Sequence, residues 1–276
     1  GGDYNSFEIG KSTGFNPFSL DNTPINTHYI FGLVKLLVGD TTQAEEDRIV
    51  DAIKSVYSLS RKENRRLGSM MNYLYSGEEN SIADRLREWT GEERLGWVFD
   101  NPIDTLNFNE VTAFDVTNFL TNVEINTPIM SYLLHRIMPM IDGNPLCIWI
   151  DEFWMLLKNE YFKTTFLEDQ LRTIRKNNGS LILATQSPAD ALRSDISRAL
   201  IEQCSTKIFL PNEQGTESDY VEGFKLSPSL WDHFKSLTKS SRQFLVQTGE
   251  LAVFATMPLY GMKDELNILS GRKQNN

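Results

Sequence analysis

The chain has 276 residues, of which 40% are hydrophobic and 23% are charged, a composition that is ordinary for a globular protein with a sizeable core. The formal net charge of −10 at pH 7 argues against a general nucleic-acid-binding surface, because contacts to phosphates need clustered Lys and Arg. The two cysteines, Cys147 in a predicted buried strand and Cys204 at a predicted helix end, lack the spacing of a metal site and indicate a reducing compartment. No signal peptide or transmembrane span is predicted.

The first motif along the chain, Gly10-Lys11-Ser12, matches the end of a phosphate-binding P-loop. A complete P-loop needs a glycine five positions before Gly10, where this chain has Asn5, so that backbone amides can wrap the phosphates. No apolar strand precedes the motif, and residues 13–17 do not suit the helix that should follow it. The sequence therefore predicts a polar turn that leads into an extended segment.

Residues 25–96 are predicted to form an all-helical subdomain, set between residues 1–24 and 97–276 of an α/β core. Apolar residues recur at helical spacing in this region, and polar caps mark several helix starts. The caps are Thr23 with Pro24 at the first helical position, Thr41 or Thr42 with Glu45 in a capping box, and Ser81.

The segment after the helical subdomain alternates between strand and helix. Strands are predicted at 97–99 and 111–116, and a helix that opens at Thr127, with a proline at its first position, leads into a strand at 146–150. This β–α–β order predicts a right-handed crossover and a parallel sheet, with the last strand buried on both faces. Asp115 ends the second strand and either caps the next helix or faces the crevice described below; the capping interpretation is favoured.

Two adjacent carboxylates, Asp151 and Glu152, follow the strand at 146–150. The carboxyl end of a strand in an open α/β sheet is where ligands bind. Carboxylates there suit nucleotide hydrolysis, with one holding Mg²⁺ and the other polarising water. The alternative is that they lie at a helix N-terminus, where acidic residues favour the positive end of the helix dipole.

A second strand-end polar residue, Gln186, follows a predicted buried strand at 181–184. A neutral amide there can bond both a γ-phosphate oxygen and the attacking water. The alternative is a turn residue before Pro188. Before this strand, an amphipathic helix is predicted at 161–177, ended by the αL-tolerant residues Asn177, Asn178 and Gly179. The remaining predicted elements are a helix at 194–203, a strand at 206–210, short helices at 217–224 and 227–234, and a hairpin of 243–247 with 251–256.

Six short motifs occur in one order along nearly the whole chain: Thr13 to Pro17, Phe114 to Thr117, Trp149 to Trp154, Arg172 to Gly179, Ala184 to Pro188 and Leu269 to Arg272. Together they resemble the C-terminal ATPase domain of the TraC/TrbE-like (VirB-class) ATPases of type IV secretion and conjugation machines. The resemblance implies a RecA-like P-loop NTPase core, an α/β fold with a largely parallel sheet and an inserted all-helical subdomain. It also implies ATP and Mg²⁺ as ligands and a hexameric ring. The ring is expected to be cytoplasmic and peripheral at the bacterial inner membrane, with other secretion subunits and a transported protein or DNA substrate as partners.

The resemblance assigns roles to the strand-end residues. Asp151 is the expected Walker B ligand of Mg²⁺, through water, and Glu152 is the expected base that orients the hydrolytic water. Gln186 is the expected γ-phosphate sensor. These assignments agree with the chemistry inferred above from the residue types and their positions.

Arginines are the expected source of charge neutralisation in the transition state. Arg172 and Arg175 are the best candidates for a finger that reaches a neighbouring subunit's nucleotide. The alternative for both is a solvated helix face, where Arg172 pairs with Glu168. Arg272 is a weaker candidate for a contact at the nucleotide or at the subunit boundary.

The family's Walker A loop has no counterpart in the chain and is expected ahead of Gly1, together with the first core strand and an N-terminal domain. By itself, the chain is therefore expected to be inactive. The leading function is an ATP-hydrolysing motor subunit of a type IV secretion or conjugation machine that powers channel or pilus assembly and substrate transfer. Two alternatives stay open: a DNA translocase of the FtsK/HerA class, which the acidic charge disfavours, and a non-catalytic scaffold on a nucleotide-binding fold.

Overall fold

The computed structural model describes residues 2–74, 77, 79–120, 122–154, 174, 176–193 and 195–269. The chain divides into two units, Gly1–Leu146 and Cys147–Asn276. The predicted domain boundaries after residues 24 and 96 lie inside the first unit and stay predictions.

Helices dominate the first unit, and their capping residues are those expected from the sequence. Thr23 accepts a hydrogen bond from the Asn26 N–H, and Thr42 and Ser81 each form a complete capping box. Apolar residues one helical turn apart bury one face of each long helix, as the periodicity predicted. The helices are α1 (Pro24–Val38), α2 (Gln43–Tyr57), α3 (Met71–Leu74), α4 (Ile82–Arg87), α5 (Gly96–Phe99) and α6 (Val123–Ile137).

Two predictions in this unit are wrong. Residues 97–99 lie in the helical turn α5, not in a strand: the Asp100 N–H donates to the Gly96 carbonyl at 3.1 Å. A three-residue apolar run does not distinguish the two periodicities. Helix α6 begins at Val123, not at Thr127, so that Pro128 lies inside the helix. Pro128 is the sixth residue of the helix and cannot donate to the Glu124 carbonyl, so the helix continues through it with one intrahelical bond missing.

Strands β1 (Asp3–Ser6) and β2 (Thr112–Asp115) form a parallel pair in which Tyr4 lies opposite Ala113. The favoured capping interpretation of Asp115 is not confirmed, because the helical turn Thr117–Phe119 has Val116 at its cap position and no side-chain cap hydrogen bond. The Asp115 carboxylate accepts hydrogen bonds from the Thr117 N–H at 3.0 Å and the Tyr4 hydroxyl at 2.8 Å. The bonds from the Thr117 side chain and backbone, followed by that from Tyr4, lower the pKa of Asp115 below its usual value.

The Gly10-Lys11-Ser12 motif forms the predicted polar turn. The Lys11 N–H donates to the Glu8 carbonyl at 3.1 Å, and the Lys11 ammonium pairs with the Glu8 carboxylate at 2.7 Å on the surface. The Ser12 hydroxyl bonds the Asn101 side chain at 2.5 Å. The lysine and the serine of the motif therefore have structural partners within the first unit.

Asn16 joins the N-terminal segment to the rest of the first unit. It is fully buried, and its amide nitrogen donates to the Arg65 carbonyl at 2.9 Å and the Pro102 carbonyl at 3.4 Å. Its amide oxygen accepts from the Phe18 N–H at 2.9 Å, while its own backbone N–H donates to the Asp104 carboxylate at 3.2 Å. One side chain thus satisfies backbone groups of its own segment and of two other segments.

The second unit contains the strand pair β3 (Leu146–Ile150) and β4 (Gly179–Leu183) and the antiparallel sheet β5 (Thr206–Phe209), β6 (Gln243–Thr248) and β7 (Leu251–Thr256). The predicted hairpin is confirmed as β6–β7. Its inner face packs on Tyr220, Trp231 and Phe234. Further helices span Pro188–Ala191, Asp195–Gln203, Pro228–Phe234 and Lys263–Leu269, and Ser218–Gly223 forms a π-helical turn.

Strands β2 and β3 lie in separate two-stranded sheets, so the predicted crossover within one parallel sheet is not found among the described residues. The predictions that β3 is buried on both faces and that β4 is a buried strand are also wrong for the described structure. Cys147 and Trp149 alternate with buried Ile148 and are exposed, Trp149 to 69%. Ile182 of β4 is also exposed. One face of each strand is covered and the other is not, as side chains two residues apart share a face. Within the described residues, no helix combines the length and the apolar character that crossing a membrane requires.

Candidate active site

The carboxyl ends of β3 and β4 lie side by side. The Ala184 N–H donates to the Ile150 carbonyl at 2.9 Å, and the Ala184 carbonyl accepts from the Phe153 N–H at 3.2 Å. One residue that bonds two different positions on its neighbour is the pattern of a parallel pair. The residues after Ile150 and those after Leu183 therefore emerge at the same edge.

The chain turns sharply directly after β3. Glu152 has a φ of 47°, in the left-handed region that residues other than glycine seldom adopt. This turn places the Phe153 side chain inside the unit, with 6% of its surface exposed. Asp151 is exposed, and its Oδ1 atom accepts the Glu152 N–H at 3.0 Å. The two adjacent carboxylates thus have different surroundings.

The Glu152 carboxylate accepts hydrogen bonds from one residue that follows β3 and from one that follows β4. Its Oε2 atom accepts the Trp154 indole N–H at 2.7 Å and the Thr185 hydroxyl at 3.3 Å. Thr185 lies two residues after β4, and Gln186 is the next residue. The structure therefore brings the carboxylate of Glu152 to the loop that carries Gln186.

The Gln186 loop is also tied to the end of β5. The Gln186 side chain is exposed, and its backbone carbonyl accepts the Asn212 side-chain amide at 3.0 Å. Ser187 caps the following helix through the Asp190 N–H at 3.2 Å. Neither Asn212 nor Thr185 was predicted from the sequence to contribute to the site. A signal was present for Asn212, since it is another polar residue just beyond an apolar strand.

The arginine predictions lie outside the described residues. These are Arg172, Arg175 and Arg272, and their roles stay predictions. The helix before β4 is described at Ile174 and at Lys176, and Asn178 ends it with a left-handed φ of 61°, as expected.

Comparison with known proteins gives similarity along the whole chain. No family model matches. The chain is 42% identical over 282 residues to the type IV secretion system protein virB4 of Bartonella quintana, covering 100% of this chain and 36% of that protein. It is 38% identical to virB4 of Brucella suis, a match that covers 100% of this chain and 35% of that protein. It is 34% identical to PtlC of Bordetella pertussis, a match that covers 99% of this chain and 35% of that protein. The chain is VirB4-like over its whole length. It spans about a third of the length of these curated relatives.

The fold of this VirB4-like chain is that of a solved VirB4. The structure of VirB4 from Thermoanaerobacter pseudethanolicus matches with a TM-score of 0.71, covering 96% of this chain and 78% of that one at 16% identity. The predicted α/β class with a RecA-like core is therefore confirmed. The resemblance to the VirB class that the motifs indicated is confirmed as well.

The acidic edge of the VirB4-like chain suits Mg²⁺ bound through water. Among the described residues, no group of three or more His, Cys, Asp or Glu side chains could enclose a metal ion. Mg²⁺ at nucleotide sites keeps several waters and takes its other ligands from one or two carboxylates and from phosphates. A single exposed carboxylate, Asp151, fits that role.

Proposed function

We propose that the chain is part of an ATP-hydrolysing motor subunit of a bacterial type IV secretion or conjugation machine, which powers channel or pilus assembly and substrate transfer. The observation that carries the proposal is the Glu152 carboxylate at the shared edge of two parallel strands, bonded to the loop that carries Gln186. The names of the relatives, type IV secretion system proteins, supply the biological setting.

The strand-end residues divide the work of hydrolysis. Asp151 orients the water shell of a Mg²⁺ ion, which neutralises charge on the phosphates when it is bound. Glu152 accepts the proton of the attacking water and aligns that water with the terminal phosphate. Gln186 bonds the terminal phosphate through its side-chain amide and so reports whether that phosphate is present.

The remaining parts of the proposal concern assembly. Arg172, Arg175 or Arg272 reaches the nucleotide or the subunit boundary in a hexameric ring. The ring is cytoplasmic and docks peripherally at the bacterial inner membrane, where it contacts other secretion subunits and the transported protein or DNA. The support is the similarity to type IV secretion proteins.

The proposal is tested by Mg²⁺-dependent ATP hydrolysis in the full-length protein. Asp151→Asn removes the charge and keeps the shape, and we expect the half-maximal Mg²⁺ concentration to rise by roughly 10-fold or more, because the metal's water shell loses its anionic partner. The matched control is Asp51→Asn, at an exposed position of α2 that pairs only locally with Lys54. An unchanged Mg²⁺ requirement in Asp151→Asn would contradict the assignment.

The same measurement separates the alternative functions. A wild-type protein without ATP turnover would favour a scaffold. A rate that DNA stimulates, with a steep dependence on salt, would favour a DNA translocase.

A further inference from the structure

Two side chains from different segments donate to one oxygen of Glu152. We propose that Trp154 and Thr185 are positioning residues that set the orientation of the Glu152 carboxylate and couple it to the Gln186 loop. The inference rests on the proposed function and adds to it the residues that control its base.

Both donors converge on Oε2, at 2.7 Å from the Trp154 indole nitrogen and 3.3 Å from the Thr185 hydroxyl. A glutamate side chain has three rotatable bonds, and one hydrogen bond would leave the carboxylate free to rotate. Two donors from different segments restrict that rotation and engage Oε2, so that Oε1 is the oxygen presented to water. A general base works only within hydrogen-bond reach of the proton it removes.

The backbone at Glu152 supports a positioning role. A left-handed φ at a residue other than glycine persists only when its surroundings hold it. Here the buried Phe153 side chain and its N–H bond to Ala184 hold the turn from one side. The Trp154 indole, one residue further on, is thereby brought back onto the Glu152 carboxylate.

Thr185 has a second set of contacts that links the base to the sensor loop. Its hydroxyl oxygen accepts the Ser187 N–H at 3.1 Å, and its single proton has two acceptors in reach, Glu152 Oε2 at 3.3 Å and the Ser187 carbonyl at 3.4 Å. A hydroxyl donates one proton, and the charged acceptor gives the stronger bond. Because Gln186 lies between Thr185 and Ser187, a shift of Gln186 toward a phosphate moves the hydroxyl that holds Glu152.

The test uses two substitutions in the full-length protein that delete one donor each. Trp154→Phe removes the indole N–H and keeps an aromatic ring, and Thr185→Val removes the hydroxyl and keeps the branched shape. We expect kcat for ATP to fall roughly 10- to 100-fold in each, with KM changed less than about 3-fold, because orientation of the base matters in the transition state. Thr185→Ser should restore most of the rate. The matched control, Trp149→Phe at an exposed position of β3, should keep the wild-type rate.

To distinguish the positioning role from a merely structural one, both substitutions are repeated in a Glu152→Gln background. With the base absent, we expect each to change the residual rate by less than about 2-fold, because residues that act through one group are not additive. An equal fold-loss with and without Glu152 would overturn the inference. The hydrogen bond between the Trp154 indole and Glu152 can be tested without ATP by NMR of ¹⁵N-tryptophan-labelled protein. The indole N–H resonance of Trp154 should shift in Glu152→Ala, and an unchanged resonance would also overturn the inference.

The outcomes distinguish this inference from the proposed function. Normal kcat in both Trp154→Phe and Thr185→Val, with an active wild-type protein, overturns only the positioning role. A wild-type protein without ATP turnover overturns the proposed function, and the positioning role with it.

Discussion

Replacing Glu152 by glutamine is expected to lower ATP turnover by the full-length protein to a small residual rate while ATP binding is retained. Glutamine has the same shape and its amide oxygen can still accept from Trp154 and Thr185, so the site should keep its geometry. It cannot accept a proton from water, and loss of a general base typically lowers the rate by 10²- to 10⁴-fold. Steady-state phosphate release and equilibrium binding of a fluorescent ATP analogue measure the two quantities separately.

The matched control is Glu110→Gln, at an exposed position in the first unit, which should keep the wild-type rate. Unchanged turnover in Glu152→Gln would remove Glu152 from its role. Loss of binding together with turnover would mean that the substitution disrupts the site as a whole, contrary to the expected isosteric replacement.

Asn16→Ala is expected to lower the free energy that keeps the N-terminal segment folded by about 3 kcal/mol. The substitution leaves the Phe18 N–H and the Arg65 carbonyl without their partner and opens a cavity, and each unsatisfied buried group costs about 1–3 kcal/mol. Hydrogen exchange in the full-length protein measures this directly. Peptides that contain Phe18 should exchange roughly 100-fold faster, since a factor of ten corresponds to about 1.4 kcal/mol.

The control for this prediction is Asn107→Ala. Asn107 is exposed, and its side chain bonds only the nearby Thr105 carbonyl at 3.2 Å, so exchange should be unchanged. Equal exchange in wild type and Asn16→Ala would show that the buried amide contributes little. Asn16 belongs to one of the motifs that carry the resemblance, and this prediction gives it a structural role.

The parts of the fold that local interactions determine were predicted from the sequence. Thr42 and Ser81 cap their helices because a hydroxyl followed three residues later by a carboxylate satisfies two helix-end donors regardless of the rest of the fold. Asn178 ends a helix because asparagine tolerates a left-handed φ. The common edge of Asp151 and Gln186 was also predictable, since parallel strands have their carboxyl ends on one side.

What the sequence missed depends on long-range partners. The short apolar run at 97–99 predicted a strand but forms the helical turn α5. The proline at 128 predicted a helix start at Thr127, but α6 begins at Val123. Trp149 is exposed although its strand is apolar, because burial depends on which elements cover each face. Thr185 contributes to the site through a hydrogen bond to Glu152 from a different segment of the chain, and no local pattern marks such a bond.

The position of the nucleotide's metal ion tests the central claim most directly. Mn²⁺ can replace Mg²⁺ in crystals of the full-length protein with a non-hydrolysable ATP analogue, and its anomalous scattering locates it. We predict Mn²⁺ within about 4–5 Å of the Asp151 carboxylate, one coordinated water away, with the terminal phosphate facing Glu152 and Gln186. A metal ion remote from Asp151, with the phosphates away from Glu152 and Gln186, would contradict the account.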